Sequence, residues 1–195
     1  MATTPKREAV QADVLRATEE LLAGGASWAE LGVERIASGA GISRTAFYFY
    51  FRDKRELLVR LTGEVAGLLY AESDRWWHGD TDLRESLGQT VRLYLEHAAL
   101  LRVVAEAAAY DEEVRALWQS LVGRFVDATR ERIERDQAAG LAAPVPPRET
   151  AMALVWMCER TLYQFARDTP DAEPGPLTEA LAQVMLRAIY GRLPD

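Results

Sequence analysis

Lysine is nearly missing from this 195-residue chain: 21 arginines and two lysines make up its 23 basic side chains. We read that bias as the mark of a genome rich in G and C. Cysteine is rarer still, and Cys158 alone excludes an internal disulfide. The two histidines, His78 and His97, have no Cys or His partner at zinc-ligand spacing. No stretch approaches the roughly 18 uncharged apolar residues of a membrane helix. The first residues, MATTPKREAVQ, carry charge where a secretory signal would be apolar, so a cytoplasmic protein is expected. Catalytic signatures are lacking too. There is no Gly-x-Ser-x-Gly elbow, no phosphate-binding loop and no His paired with a nucleophile, so neither an enzyme nor a cofactor is expected.

Charge is abundant but uneven. The formal net charge is −7, which by itself argues against a nucleic-acid partner, because DNA affinity rests on neutralising phosphates. Residues 1–55, however, hold 8 basic and 7 acidic side chains, against 15 and 23 in the remainder. A near-neutral head on an acidic body fits weak binding to random DNA and selection through directed contacts.

With 49% hydrophobic and 27% charged residues the chain reads as a globule. Helical periodicity runs almost throughout, and sustained strand-type alternation is absent. The expectation is an all-α fold of about nine helices. A first helix from about Pro5 to Leu22 stops at Gly24-Gly25, a short second spans Val33 to Ser38, and Ser43 caps a third through Tyr50. Asp53 caps a long fourth, whose Leu57, Leu58, Leu61, Val65, Leu68 and Leu69 keep the helical period until Gly79-Asp80. Further helices follow around Leu83–Leu95, from Ala98 to Ala109, and from Asp111 onward. The clearest loop is Gln137 to Pro147, and two last helices cover Arg148 to Arg167 and Gly175 to Arg192. Trp76 and Trp77 either pack under the body or anchor the end of the fourth helix. Residues 1–55 are assigned to a three-helix head and 56–195 to a helical body.

The informative stretch is Val33 to Lys54, two short helices joined by a turn with Gly39 and Gly41. Helix-turn-helix units need small residues there so that the second helix crosses the first steeply. Ile36, Ala37, Ile42, Phe47 and Phe51 can pack the head, which leaves Arg44, Thr45 and Tyr48 on the opposite face. That face suits a major groove, with Arg44 on a guanine edge or a phosphate and Thr45 and Tyr48 on phosphates. Ser43 sits at a helix N-terminus that favours a phosphate. Gly32 is a weak cap for the second helix, and Glu34 would repel a phosphate, so that helix is left out of the contact set.

The run from Gly41 to Lys54, Gly-Ile-Ser-Arg-Thr-Ala-Phe-Tyr-Phe-Tyr-Phe-Arg-Asp-Lys, resembles the signature of the tetracycline-repressor (TetR) family of transcriptional regulators. The resemblance implies that Ser43, Arg44, Thr45, Tyr48, Phe49 and Tyr50 face or neighbour DNA and that Lys54 meets a phosphate. Phe47–Phe51, Leu117-Trp118 and Met157–Leu162 further resemble the branch typified by the mycobacterial ethionamide-resistance regulator. It implies a narrow apolar ligand tunnel lined by Leu87, Thr90, Tyr94, Trp118, Val122, Phe125, Val155, Cys158, Leu162 and Tyr163. Val155 and Cys158 stand where that branch has asparagines, and Thr90 where it has an aromatic.

The expected function is a ligand-responsive regulator, released from a palindromic operator by a small apolar effector and dimeric through its last two helices. Leu154, Val155, Leu162, Phe165, Leu181, Val184 and Ile189 supply the apolar faces of those helices. The competing possibility is a helical adaptor whose head no longer reads DNA and whose body binds a protein. Cys158 reads as a small buried hydrophobe, and His78 and His97 as surface or helix-end residues.

Overall fold

The computed structural model of the chain describes residues 5–169 and 172–191. Among these, nine helices and no strand are found: α1 (Pro5–Ala23), α2 (Val33–Gly39), α3 (Arg44–Tyr50), α4 (Lys54–His78), α5 (Leu83–Glu96), α6 (Ala98–Ala107), α7 (Glu112–Ala138), α8 (Pro147–Asp168) and α9 (Gly175–Tyr190). The expected end of the last helix at Arg192 lies outside the described residues.

Helix boundaries follow from local chemistry. The Ser43 hydroxyl accepts from the Ala46 N–H at 3.1 Å, and the carboxylates of Asp53, Asp82 and Asp111 do the same for α4, α5 and α7. Each satisfies an amide that the helix cannot pair internally. The Glu56 N–H held by Asp53 keeps that carboxyl below the usual range. Gly79 ends α4 with φ of 87°, a left-handed conformation costly to any residue with a Cβ. Gly41, at φ of 68°, turns the chain between α2 and α3. The chain also crosses closely at Gly39, whose Cβ would lie 3.4 Å from that of Ala17 on α1.

One continuous apolar core joins the head to the body. In the head, Val14, Leu22, Ile36, Phe47 and Phe51 are buried, with the two phenylalanine rings stacked 5.4 Å apart. In the body, α4 packs on α5 and α7, α7 on α8, and α9 on α5. The C-terminal carbonyls of α4 are gripped from α7: Arg132 and Arg135 donate to the Trp76 and Trp77 carbonyls. Cations belong at this negative end of a helix dipole. Arg132 also donates to Asp136 at 2.8 Å, and the Tyr190 hydroxyl of α9 donates to the same oxygen at 2.7 Å. Three helices are tied at one buried carboxylate.

Of the apolar residues expected on the faces of the last two helices that meet a second chain, Leu154, Leu162, Leu181 and Ile189 are buried within the chain itself, Val155 and Phe165 are partly buried, and Val184 is exposed. The apolar surface left outside on α8 and α9 is Met152, Trp156 and Val184. His97, expected at a surface or a helix end, does stand at the junction of α5 and α6 but is largely covered, 2.8 Å from the Glu19 carboxylate of α1. No described helix is long and apolar enough to cross a membrane.

Candidate DNA-binding face and ligand cavity

The third helix divides its aromatic run by orientation. Phe47 and Phe51 lie one turn apart and fully buried, whereas Tyr48 and Phe49 are 47% and 69% exposed. Ser43, Arg44 and Thr45 are exposed beside Tyr48, and the Arg44 guanidinium sits over its ring at 5.9 Å. Tyr50 is half-buried. The guanidinium of Arg7, on α1, lies 5.3 Å from the Phe49 ring and 5.7 Å from that of Tyr50, bracing the end of α3. Arg44 also makes an ion pair with Glu34 of α2, both side chains more than half exposed.

Lys54 departs from the outward role implied for it. Its ammonium donates to the Trp28 carbonyl at 2.5 Å and to the Leu31 carbonyl at 3.2 Å, and lies 4.7 Å from the Trp28 ring centre. Burial lowers its pKa from the ordinary lysine value. Lys54 therefore fastens the loop before α2 onto the first turn of α4. Neither Trp28 nor this loop was singled out from the sequence, because the partners lie 23 and 26 residues away.

In the body, α4, α5, α7, α8 and one residue of α9 enclose a cavity of about 130 Å³. Nine of the residues implied for the tunnel line it: Leu87, Thr90, Tyr94, Trp118, Val122, Phe125, Val155, Cys158 and Leu162. Tyr163 does not. One residue beyond Leu162 turns a helical side chain by about 100°, and Tyr163 lines a second cavity between α6, α8 and the end of α1, between Arg160 and Arg167. Tyr94 borders both spaces. The Cys158 thiol contacts the Met185 sulfur at 3.6 Å, and burial pushes its pKa up to about 12, so it is no ready thiolate.

The sequence did not point to Trp76, Trp77, Glu159 or Met185 as wall residues. Trp76 and Trp77 are buried there, and Trp77 donates from Nε1 to the Thr129 hydroxyl at 3.1 Å. Tyr70, Trp77 and Phe125 form a cluster of rings at 4.9–5.6 Å beside the cavity.

Comparison with known proteins agrees with both halves of this arrangement. Residues 14–61 match the model of the bacterial regulatory proteins of the tetR family, and residues 83–191, more than half of the chain, match that of the C-terminal domain of the transcriptional regulator EthR. The chain belongs to the TetR family.

This TetR-family chain is 33% identical over 189 residues to the HTH-type transcriptional regulator EthR of Mycobacterium tuberculosis, covering 90% of the chain and 85% of that regulator. It is 30% identical over 186 residues to EthR of Mycolicibacterium smegmatis, covering 91% and 85%. Among solved structures, a transcriptional regulator from Saccharomonospora viridis in complex with choline superposes with a TM-score of 0.76 at 18% identity, covering 93% of this chain and 98% of that one. NalD, the secondary repressor of the MexAB-OprM efflux pump of Pseudomonas aeruginosa, gives 0.74 at 23% identity, covering 96% and 100%. These structural likenesses establish the shared fold. The TetR-family chain is thus a ligand-responsive, DNA-binding transcriptional regulator.

Proposed function

We propose that this chain is a homodimeric repressor that leaves its operator when a small, largely apolar effector fills the cavity of the body. The observation that carries the proposal is the span of α4. One helix holds Lys54, fastened to the head, at its first residue, and contributes Ala66, Leu69, Ser73, Trp76 and Trp77 to the cavity wall. A ligand that displaces the wall moves the rod that carries the head.

In the proposed complex the exposed face of α3 enters the major groove. Arg44 reads a guanine edge or a phosphate, while Ser43, Thr45 and Tyr48 donate to phosphates and Phe49 and Tyr50 flank the backbone. Lys54 contributes by fixing the head to α4, and whatever it offers a phosphate is secondary to that. The dimer forms through α8 and α9, where Met152, Trp156 and Val184 give an apolar outer face to a second copy. Two-fold symmetry then sets the α3 helices about 34–36 Å, or a multiple, apart on a near-palindromic site. The repressor acts in the cytoplasm.

To turn a mostly bound population into a mostly free one the effector must favour the released conformation by about 5.5 kcal/mol. Burial of apolar surface in an aromatic-lined cavity is of the right order to supply that. The test is fluorescence anisotropy of the purified protein on DNA flanking its own gene, across a salt series. The expected result is saturable binding about a thousandfold tighter than to a scrambled duplex, weakening as salt rises. Equal binding to both duplexes would overturn it. An adaptor with a silent head would also keep its partner after Arg44→Ala and Tyr48→Ala, whereas the repressor would lose the operator.

A further inference from the structure

Four aliphatic hydroxyls of the cavity wall, those of Ser73, Ser86, Thr90 and Thr129, are hydrogen-bonded within the chain. Ser73 donates to the Leu69 carbonyl at 3.1 Å and Thr90 to that of Ser86 at 3.0 Å. Ser86 donates to the Glu72 carbonyl at 2.9 Å, and Thr129 accepts from Trp77 at 3.1 Å. Glu159 is different. It stands in the same wall, 9% exposed, and neither carboxylate oxygen meets a hydrogen-bond donor among the described residues.

The nearest cation, Arg160, is 3.8 Å away, too far to donate, and its side chain is 60% exposed beside the Tyr163 ring. Its charge is shared with solvent, and burial still raises the Glu159 carboxyl above the usual range. Tyr94, bordering the cavity, is itself kept a neutral phenol by burial and by the Glu159 charge. The body shows how the chain treats a buried acid that serves the fold: Asp136 receives both Arg132 and Tyr190. A buried carboxylate without donors is costly. Here it lies in a wall otherwise made largely of aromatic and aliphatic carbon, with the four bonded hydroxyls, the Cys158 thiol and the Tyr94 phenol.

We propose that Glu159 is the polar anchor of the cavity and that the ligand is an apolar amine, its hydrocarbon body held among α4, α5 and α7 and its protonated nitrogen on the Glu159 carboxylate. The proposal rests on the cavity being the effector site. An ammonium supplies the missing donor and neutralises the charge together. An alcohol supplies only the donor, and a carboxylic acid sets a second negative charge against the first.

The test is titration calorimetry of the full chain with octan-1-amine, octan-1-ol and octanoate at neutral pH, repeated on Glu159→Gln and on Cys158→Trp, which fills the cavity. The expected result is an affinity for the amine at least about tenfold above that for the alcohol, with octanoate weakest. Glu159→Gln should lose that preference and keep the alcohol, and Cys158→Trp should lose all three. Equal affinities in the unaltered protein, or a preference that survives Glu159→Gln, would overturn the amine while leaving the cavity as the ligand site. If none of the three binds, or if Cys158→Trp binds them unchanged, the cavity is not that site and the reading of the effector falls with it.

Discussion

The two ends of α4 are fastened by different chemistry. At its C-terminus the Trp76 and Trp77 carbonyls meet Arg132 and Arg135, and Arg132 rests on Asp136; the Arg132 and Asp136 side chains are only 19% and 10% exposed. At its N-terminus Arg55 pairs with Asp111 at 2.8 Å and with Glu113 at 3.4 Å, and the Arg55 side chain is 51% exposed. Lys54 adds two bonds to carbonyls of the loop before α2. Water and salt screen an exposed ion pair far more than a buried one. The more deeply buried anchor is therefore at the end nearer the cavity, and the more exposed one is at the end that carries the DNA-binding head. On the proposed mechanism a disturbance of the wall between them is delivered to the head.

The largest effect that would break this contrast is expected at the buried end. Arg132→Ala leaves Asp136 with Tyr190 alone and removes one of the two arginines from the end of α4, and should cost about 3 kcal/mol in urea unfolding. A loss under about 0.5 kcal/mol would mean that this end is no anchor. At the other end Lys54→Met, which keeps the aliphatic stem, should cost about 1 kcal/mol of stability and lower operator affinity about tenfold, read by anisotropy. If affinity falls with no change in stability, Lys54 serves DNA directly.

Glu159→Leu sharpens the contrast from within the wall, by about 1 kcal/mol in thermal unfolding at neutral pH after allowance for the exposed Arg160. The sign follows from the raised carboxyl. With the folded value above the unfolded one, the wild-type carboxyl is tolerated at low pH and penalises folding as pH rises through its folded value. The advantage of Glu159→Leu should therefore grow from acidic to neutral pH. The other titratable groups of the wall, Tyr94 and Cys158, are both pushed further up by burial and stay neutral over that interval. An advantage that shrinks over the interval would contradict the assignment.

Smallest are the surface pairs. Arg55→Ala should cost under about 1 kcal/mol yet lower the effector concentration needed for release. Glu34→Ala frees Arg44 and removes a repelling charge, and should tighten operator binding about threefold. Unchanged affinity there would place Arg44 away from the backbone and the guanine edges alike.

The elements were readable from the sequence because helix ends are local. Ser43, Asp53 and Asp111 mark starts by their own side chains, and the spacing of Phe47 and Phe51 separates a buried from an exposed face within one turn. The cavity is different. Its wall is drawn from helices more than a hundred residues apart, and periodicity says only that a residue faces inward, not what it faces. Nine of the residues that line it were legible through family resemblance. Tyr163 was misplaced by one helical step, and Lys54 was turned inward by Trp28, which no local pattern connects to it. Glu159 reads in sequence as one more helical charge, and only its packing shows it without a donor.

The five tryptophans are distributed as a set of optical reporters. Trp76, Trp77 and Trp118 border the cavity, so their emission should shift when it fills. Trp28 lies under the Lys54 ammonium and should change as the head loosens. Trp156 is exposed on the outer face of α8 and should move to shorter wavelength when a second copy covers it. Single-tryptophan variants would time cavity filling, head release and pairing of subunits separately, with no attached dye.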